Sequence, residues 1–504
     1  MGKEIELKLH MTPQDLRKLK KSERLFRRTS RTSKATDLLS VYFDTPNYRL
    51  RKAGIALRVR HIGRTRVQTI KTQVSGIPFS RSEWEHPIVG DTPDLQLAKD
   101  TPLAPLLDKQ LMQTLIPVFT TAVRRFAVPI HENGSLTEIA LDDGLVRAGK
   151  KTTPIAEVEI ELKRGDVADV FSLARKIGKI VPFKLGFKSK SELGYELLVR
   201  KAPISVRAMK IELQQHISVS EAFQIIGRSA LRHLAANEQA VSIGDSEGVH
   251  QMRVGLRRLR AAIWVFSALL TDKQTEKVEA ELIWMTGELQ LIRDLDVYIE
   301  NDVDSLKNSK KKKRGLRKFV GEIAARRRSA YIKLKQSVSS SRFQLLILDT
   351  LQWIEAGNWL NNPGKSRNYL IRNFASISLA RQTKKILKKQ TKLRNLDERK
   401  LHKLRIAFKK LRYSIDFFGS LFIERKNKRR RGRFTDCIKV LLDDLGVLND
   451  IAVHDKLFTS NRLPANSNYA SSISQREKHR IAPLLKETFK AAQKLSRARP
   501  FWTE

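Results

Sequence analysis

A single cysteine, Cys437, stands in a chain of 504 residues. It can build neither a disulfide scaffold nor a cysteine-based zinc site, and such sparse usage fits a reducing compartment. No stretch approaches the ~18 uncharged apolar residues that a membrane-spanning helix needs. The opening MGKEIELKLHM lacks the uninterrupted apolar run of a signal peptide. These gaps lead us to expect a soluble intracellular protein. Acidic residues are also scarce, 53 Asp and Glu against 97 Lys and Arg, for a formal net charge of +44. That excess implies a polyanionic partner, whether nucleic acid, anionic lipid or a chain of phosphates. The apolar fraction, 41%, is enough for real cores and excludes a wholly disordered chain.

The length suits two or three domains of about 100–200 residues each. Residues 1–200 hold 36 basic and 23 acidic side chains, a net +13, which leaves +31 for the remainder. The first part shows short segments of period two: Glu4–Leu9, Ile55–Arg60, Val67–Lys71, Glu83–Ile88, Val123–Val128 and Pro154–Lys163. Turn signals, Asp44-Thr45-Pro46-Asn47, Asn133-Gly134 and Asp142-Asp143-Gly144, fall between or beside them. This pattern predicts an antiparallel sheet or barrel. Helices are expected over about Thr12–Phe26, with Thr12 as N-cap and Pro13 at the first position, and over about Val167–Ile180. Ala202-Pro203-Ile204 breaks the pattern, so we expect domains at residues 1–203 and 211–500.

From Ile211 onward the sequence reads as helix, and it repeats. The segment from His250 to Ile263 returns 152 residues later, from His402 to Ile415, and Leu289–Val297 returns as Leu445–Val453. Two paired motifs in one order predict a tandem duplication of a helical bundle, with copies at about 215–330 and 365–500. The basic runs Lys310–Arg314 and Arg425–Arg433 are expected as solvated loops or tails between helices.

In a strand, residues two apart share a face. Glu4, Glu6 and Lys8 therefore point one way, as do Glu157, Glu159 and Glu161, while Arg58 and Arg60 alternate with Leu57 and Val59. A half-exposed strand would show the same alternation to water. If these faces line one interior together with Lys71 and Arg125, the carboxylates suit a divalent metal and the cations a chain of phosphates. Arg124 and Arg125 compete for the inward position, and alternation does not choose between them.

The N-terminal Glu4-Ile-Glu6-Leu-Lys8 resembles the ExExK signature of the CYTH family, the triphosphate tunnel metalloenzymes. Further matches follow in the family's order: Tyr42-Phe-Asp44-Thr45, Gly54 through Arg60, Thr69-Ile-Lys71, Arg81 through Glu85, Arg125, Leu141-Asp142, Glu157 through Glu161, and Lys190-Ser-Glu192-Leu193-Gly194-Tyr195. The resemblance implies an eight-stranded antiparallel β-barrel open at both ends. It makes Glu4, Glu6, Asp142, Glu157, Glu159 and Glu161 metal ligands, for Mg²⁺ or Mn²⁺. It makes Lys8, Arg58, Arg60, Lys71, Arg125 and Lys190 phosphate ligands, with Glu4, Glu6, Lys8 and Lys71 central to catalysis. Leu193 departs from the arginine expected there.

On a helix, His250, Arg253, Arg257 and Arg260 form a cationic stripe about 80° wide. Met252, Leu256, Leu259 and Ile263 form the adjacent apolar stripe. The repeat copies both, with His402, Arg405, Lys409 and Arg412 beside Leu404, Phe408, Leu411 and Ile415. Like charges at these spacings repel, so without a counter-anion the stripe is mildly destabilising. The motifs resemble the CHAD domain, the conserved-histidine α-helical domain. That implies two four-helix bundles whose basic helices line a groove for inorganic polyphosphate. The second copy departs at Lys409 for Arg257 and at Asn449 for Arg293.

Together the halves resemble two-domain CYTH–CHAD proteins, an α+β multidomain architecture. The resemblance implies a cytoplasmic, metal-dependent hydrolase of tripolyphosphate that also binds long-chain polyphosphate and associates with polyphosphate granules. Thiamine triphosphate hydrolysis, adenylate cyclisation and non-catalytic polyphosphate binding are the rival readings. RNA binding usually brings stacking aromatics, and the stripes contain none. No specific nucleic acid and no membrane is expected as a partner, and the sequence sets no oligomeric state.

Overall fold

The computed structural model describes residues 5–26, 35–72, 83–199, 205–299, 313–361, 369–390, 398–459 and 468–503. Glu4, the proposed break at residues 202–204 and Lys310–Lys312 lie outside them. Contacts divide the chain into two units, residues 1–204 with 344–356, and residues 205–343 with 357–504.

The first unit is built on nine strands. They are β1 (Ile5–His10), β2 (Ala35–Asp44), β3 (Ile55–Ile62), β4 (Thr65–Thr72), β5 (Glu83–Ile88), β6 (Ile116–Glu132), β7 (Ser135–Ala148), β8 (Lys151–Arg164) and β9 (Lys184–Leu185). Their order is β5-β4-β3-β2-β6-β7-β8-β1-β9. Every pairing is antiparallel. The ninth strand is two residues long and extends the expected eight at the β1 edge, where Gly186 N–H also reaches the Lys8 carbonyl at 2.8 Å. Among the described residues no ladder joins β5 to β9, so the sheet is curled without hydrogen-bonded closure.

Alternation sorts the strands' two faces. Ile55, Leu57 and Val59 of β3 and Ile70 of β4 pack with Leu50, Leu103 and Leu111 in a core outside the sheet. A second core joins Tyr42, Phe119, Val146, Ile155 and Tyr195. The longer helices of this unit before residue 204 are α1 (Pro13–Lys20), α2 (Val167–Gly178) and α3 (Lys190–Val199), with shorter ones at Arg49–Lys52 and Lys109–Thr114. Thr12 caps α1 by accepting the Asp15 N–H at 3.1 Å. The expected helix to Phe26 is interrupted at Lys21–Ser22 and resumes for one turn at Glu23–Phe26.

One expected turn is not a turn. Asp142-Asp143-Gly144 lies in the middle of β7. A Cβ on Gly144 would come within 2.1 Å of the Ala122 carbonyl oxygen on β6. The glycine therefore serves close strand approach rather than chain reversal. The reversal itself is made at Asn133-Gly134, both at positive φ (51° and 81°), as a two-residue hairpin requires.

The second unit is helical: α4 (Val219–Ala236), α5 (Ser246–Val265), α6 (Lys273–Tyr298), α7 (Lys313–Val338), α8 (Ser341–Ala356), α9 (Ile371–Gln390), α10 (Glu398–Phe418), α11 (Arg425–Thr459) and α12 (Asn468–Arg497). Contact grouping assigns residues 344–356 of α8 to the first unit. A capping box at Ser218 and Glu221 starts α4, and Asp245 and Asp272 cap α5 and α6. The repeated segments fall on α5 with α6 and on α10 with α11, and α5 packs against α10. Phe266 stacks on Phe374 at 5.2 Å between centroids and meets Phe418 edge-on, joining the two copies. Phe266 and Phe418 are fully buried, and burial of such a ring is worth roughly 1.5–3 kcal/mol. Arg425–Arg433, expected as a loop, forms the first turns of α11, a helix whose row Phe434, Ile438, Leu441 and Leu445 is buried. No described helix is long and apolar enough to cross a membrane.

Candidate functional site

Strand register decides which charges meet. From β6 to β1, Arg125 stands opposite Asp142, Asp142 opposite Glu157, and Glu157 opposite His10. The next row runs Ala140, Glu159, Lys8, and the one beyond it Glu138, Glu161, Glu6. On the other side of the sheet, Tyr42, Arg58, Thr69 and Glu85 form one row, and Ala56, Lys71 and Glu83 another. Residues of both halves line a single cavity of about 210 Å³, together with Lys190 from α3. The curl of the sheet thus turns acidic and basic rows toward one space.

Charged groups of the cavity wall are paired with one another and with Asp142 and Glu157, which lie outside the lining. Glu159 is the hub, accepting from Lys8 and Arg125, and from Lys190 at 2.9 Å. Arg125 forks onto Asp142 at 2.7 and 2.6 Å. Lys190 also contacts Asp142 at 2.7 Å and Glu157. Opposite them, Glu83 accepts from Lys71 at 2.7 Å and Arg58 at 3.3 Å. Burial would raise the Glu159 pKa, but Lys190, Lys8 and Arg125 hold it well below the carboxylate range. Asp142 is held down against burial by Lys190 and Arg125. Lys190 is raised against burial by Glu157, Glu159 and Asp142.

The phosphate-ligand side is less compensated. Burial and then Arg58 draw Arg60 down to about 10, and the same two influences lower Lys71. Burial raises the Tyr42 hydroxyl, but Arg58 and Arg60 overcome it and lower it. Arg60 donates to Ser40 Oγ at 3.2 Å.

Ligand oxygens of Asp142, Glu157 and Glu159 come within 4.8 Å of one another, all buried. Glu157 Oε2 has no hydrogen-bond donor among the described residues, with His10 Nδ1 at 3.3 Å. Hard carboxylate oxygens with one orphaned acceptor fit a divalent cation. Of the remaining expected ligands, Glu6 accepts from Lys8 at 3.0 Å and Glu161 from Lys163 at 2.6 Å. Both line the cavity outside the three-carboxylate group. Arg125 is the residue that enters, while Arg124 is exposed opposite Asp143. Tyr42, Glu83, Glu85 and Glu138 also line the cavity. Alternation within Glu83-Trp84-Glu85 was the available signal for two of them.

The motif residue Asp44 has another task. It accepts the N–H groups of Thr45, Leu50 and Arg51, and the Tyr195 hydroxyl at 2.7 Å.

In the helical unit, Met252, Leu256, Leu259 and Ile263, with their counterparts Leu404, Phe408, Leu411 and Ile415, are buried. The cationic stripes beside them interact across the copies. Burial, then Arg257, with Arg293 and Arg405 also contributing, draws Arg253 down to about 10. His250 is lowered by burial, then Arg293 and Arg257. Arg253 Nη1 and Arg257 Nε are buried without an acceptor among the described residues. Elsewhere the stripe has acceptors: His402 Nδ1 meets Asn449 Oδ1 at 2.7 Å, and Arg412 meets Asp416 at 3.3 Å. Arg260 is exposed at the stripe's end.

Residues 2–193 match the family model of the CYTH domain, and residues 225–459 that of the CHAD domain. The chain is 33% identical over 202 residues to an inorganic triphosphatase of Haemophilus influenzae. That match covers 39% of this chain and 55% of the relative, so the chain spans about half the length of the curated protein it matches. The CHAD domain from the plant Ricinus communis aligns with a TM-score of 0.51 at 24% identity, over 59% of this chain and 98% of that one, and shares its fold.

Proposed function

Because this chain joins a CYTH domain to a CHAD domain, we propose that it hydrolyses inorganic tripolyphosphate to pyrophosphate and phosphate with the help of a divalent metal. Its helical domain, in this reading, binds long-chain polyphosphate. One observation carries the first half: carboxylates and phosphate-gripping cations from opposite sides of the sheet face one small cavity. The triphosphatase activity of the Haemophilus influenzae relative supports it.

Asp142, Glu157 and Glu159 would hold Mg²⁺ or Mn²⁺, and Glu6, Glu161 and Glu4 would serve as further oxygen donors. When bound, such an ion neutralises phosphate charge and lowers the pKa of a coordinated water. The protein's own part is to grip the chain. Arg58 and Arg60 fork onto phosphate oxygens, while Lys71, Lys8, Arg125 and Lys190 supply point charge where negative charge develops. Glu83 holds Lys71 and Arg58 in place until substrate arrives. Water is added across one P–O–P bridge, and no side-chain nucleophile takes part.

In the helical domain, His250, Arg253, Arg257, Arg260, His402, Arg405, Lys409 and Arg412 form the polyphosphate contact. Buried guanidinium nitrogens without acceptors support this, since each is a cost that an anion removes. The division of labour falls between residues 1–203 and 211–500, and the cytoplasm is the expected location. Phosphate release from tripolyphosphate, ATP and thiamine triphosphate, measured side by side with Mg²⁺, Mn²⁺ or chelator, tests the reading. Equal or faster turnover of either organic triphosphate would reassign the substrate, and no release from any would leave a binding protein.

A further inference from the structure

The 152-residue repeat aligns Arg258 with Lys410, Arg260 with Arg412, and Trp264 with Asp416. These positions meet where α5 packs on α10, but the two halves are finished differently. In one half a carboxylate sits between two cations. Asp416 Oδ1 accepts from Arg412 Nε at 3.3 Å. The Arg258 guanidinium, 7% exposed, lies over Phe417 at 5.7 Å. Burial pulls Arg258 down, and Asp416 is the foremost charge opposing that.

In the other half the carboxylate's place is taken by Trp264, whose side chain is 37% exposed. Lys410 Nζ lies 4.3 Å from the indole centroid. Burial and then Arg260 lower its pKa, and Glu279 on α6 is the acid acting against them. A cavity of about 430 Å³ opens here. Arg381, Lys385 and Lys403 join Lys410 in its wall, and Val265, Ile386 and Ile406 supply apolar surface. Arg381, Lys385 and Lys403 have no carboxylate partner among the described residues. The volume falls within the roughly 300–1,000 Å³ of small-molecule sites, where a few convergent polar groups sit in an apolar wall. Four cations beside an exposed indole, three of them without a carboxylate partner among the described residues, ask for a ligand that carries both a negative charge and a flat ring.

We propose that this cavity binds a planar aromatic phosphate ester of nucleoside-monophosphate size. Its ring lies against Trp264, and its phosphate meets the cations of the wall, Arg381, Lys385, Lys403 and Lys410. The site is separate from the sheet cavity and from the cationic stripes, and it is independent of the triphosphatase reading.

Isothermal titration of the full chain with adenosine 5′-monophosphate, adenosine and inorganic phosphate tests this. The monophosphate should bind at least tenfold tighter than either fragment. Trp264→Leu and Lys403→Gln should each weaken it at least fivefold. Trp264→Asp, which installs the carboxylate found in the other half, should abolish it. Lys403 is exposed, so Lys403→Gln is decisive even if a Trp264 variant folds poorly. Tripolyphosphate hydrolysis should be unchanged in Lys403→Gln. No monophosphate binding, equal binding of phosphate alone, or unaltered affinity in Lys403→Gln would overturn the proposal. So would loss of binding in the sheet variant Arg58→Ala with Arg60→Ala, which would put the ligand in the other cavity.

Discussion

In the sheet, Lys8, Arg125 and Lys190 sit among Asp142, Glu157 and Glu159, whereas on α5 Arg253 and Arg257 bury nitrogens that have no acceptor among the described residues. Both regions concentrate cations, yet the chemistry they allow differs. A buried pair tolerates the loss of neither partner, because what remains is an uncompensated charge costing about 3–5 kcal/mol. The charges of the sheet therefore act as a unit and can place opposite signs on two sides of a reacting group. Those of the helical stripes push one another apart and gain only when an anion arrives. The first arrangement suits bond breaking, the second suits holding.

Changes to the paired network should have the largest effect. Glu159→Gln removes the negative charge shared by three cations and sets an NH2 donor against them, and hydrolysis should fall by a factor on the order of 1,000, about 4 kcal/mol of barrier. Steady-state phosphate release, with circular dichroism as a folding control, measures it. A loss under tenfold would take Glu159 out of the mechanism. Glu6→Gln, whose carboxylate meets only Lys8 in this network, should cost less.

Next in size, Arg58→Ala with Arg60→Ala should raise KM for tripolyphosphate by roughly 10–100-fold with a smaller change in kcat, since two phosphate forks are lost. An unchanged KM would place the substrate elsewhere.

The stripe is tested by charge reversal at Arg253, Arg257, Arg405 and Lys409, set against reversal at Arg425, Lys426, Arg429 and Arg433. Both remove the same net charge. Long-chain polyphosphate affinity at fixed salt should drop about tenfold further in the first. Equal losses would mean that bulk charge alone does the holding.

The smallest effect is one of pH. Arg253, depressed to about 10, is charged below that value and neutral above it. Polyphosphate affinity should therefore hold below about pH 9 and decline a few-fold as pH rises through 10, with proton uptake on binding in that window. Affinity that rises across the window would refute the assignment.

Much of this was legible in the sequence, because alternation is a local property. Ile55 through Arg60 and Glu157 through Leu162 announce their two faces without reference to any neighbour, and the repeat of α5 in α10 needs only its own periodicity. What was not legible depends on partners distant in the chain. Arg125 rather than Arg124 enters the cavity because register sets it beside Asp142. Gly144 reads as a turn until Ala122 is seen pressed against it. The arginines of 425–433 read as a loop because their charge hides an apolar row, Phe434, Ile438, Leu441 and Leu445, that is buried along the same helix. The exchange of Asp416 for Trp264 carries no meaning until the two helices are packed together.

The seating of Lys8, Arg125 and Lys190 makes the acidic nest an ion exchanger already loaded with its own counter-ions. A divalent ion held by Asp142, Glu157 and Glu159 would take the place of the Lys8, Arg125 and Lys190 head groups among those carboxylates. The fold is therefore not hostage to metal supply, in contrast to zinc modules that unfold when stripped. The side chains so displaced would be free to meet phosphate oxygens. Ion and substrate should accordingly favour one another's binding, each vacating or filling what the other requires, and by linkage the favour is equal in both directions.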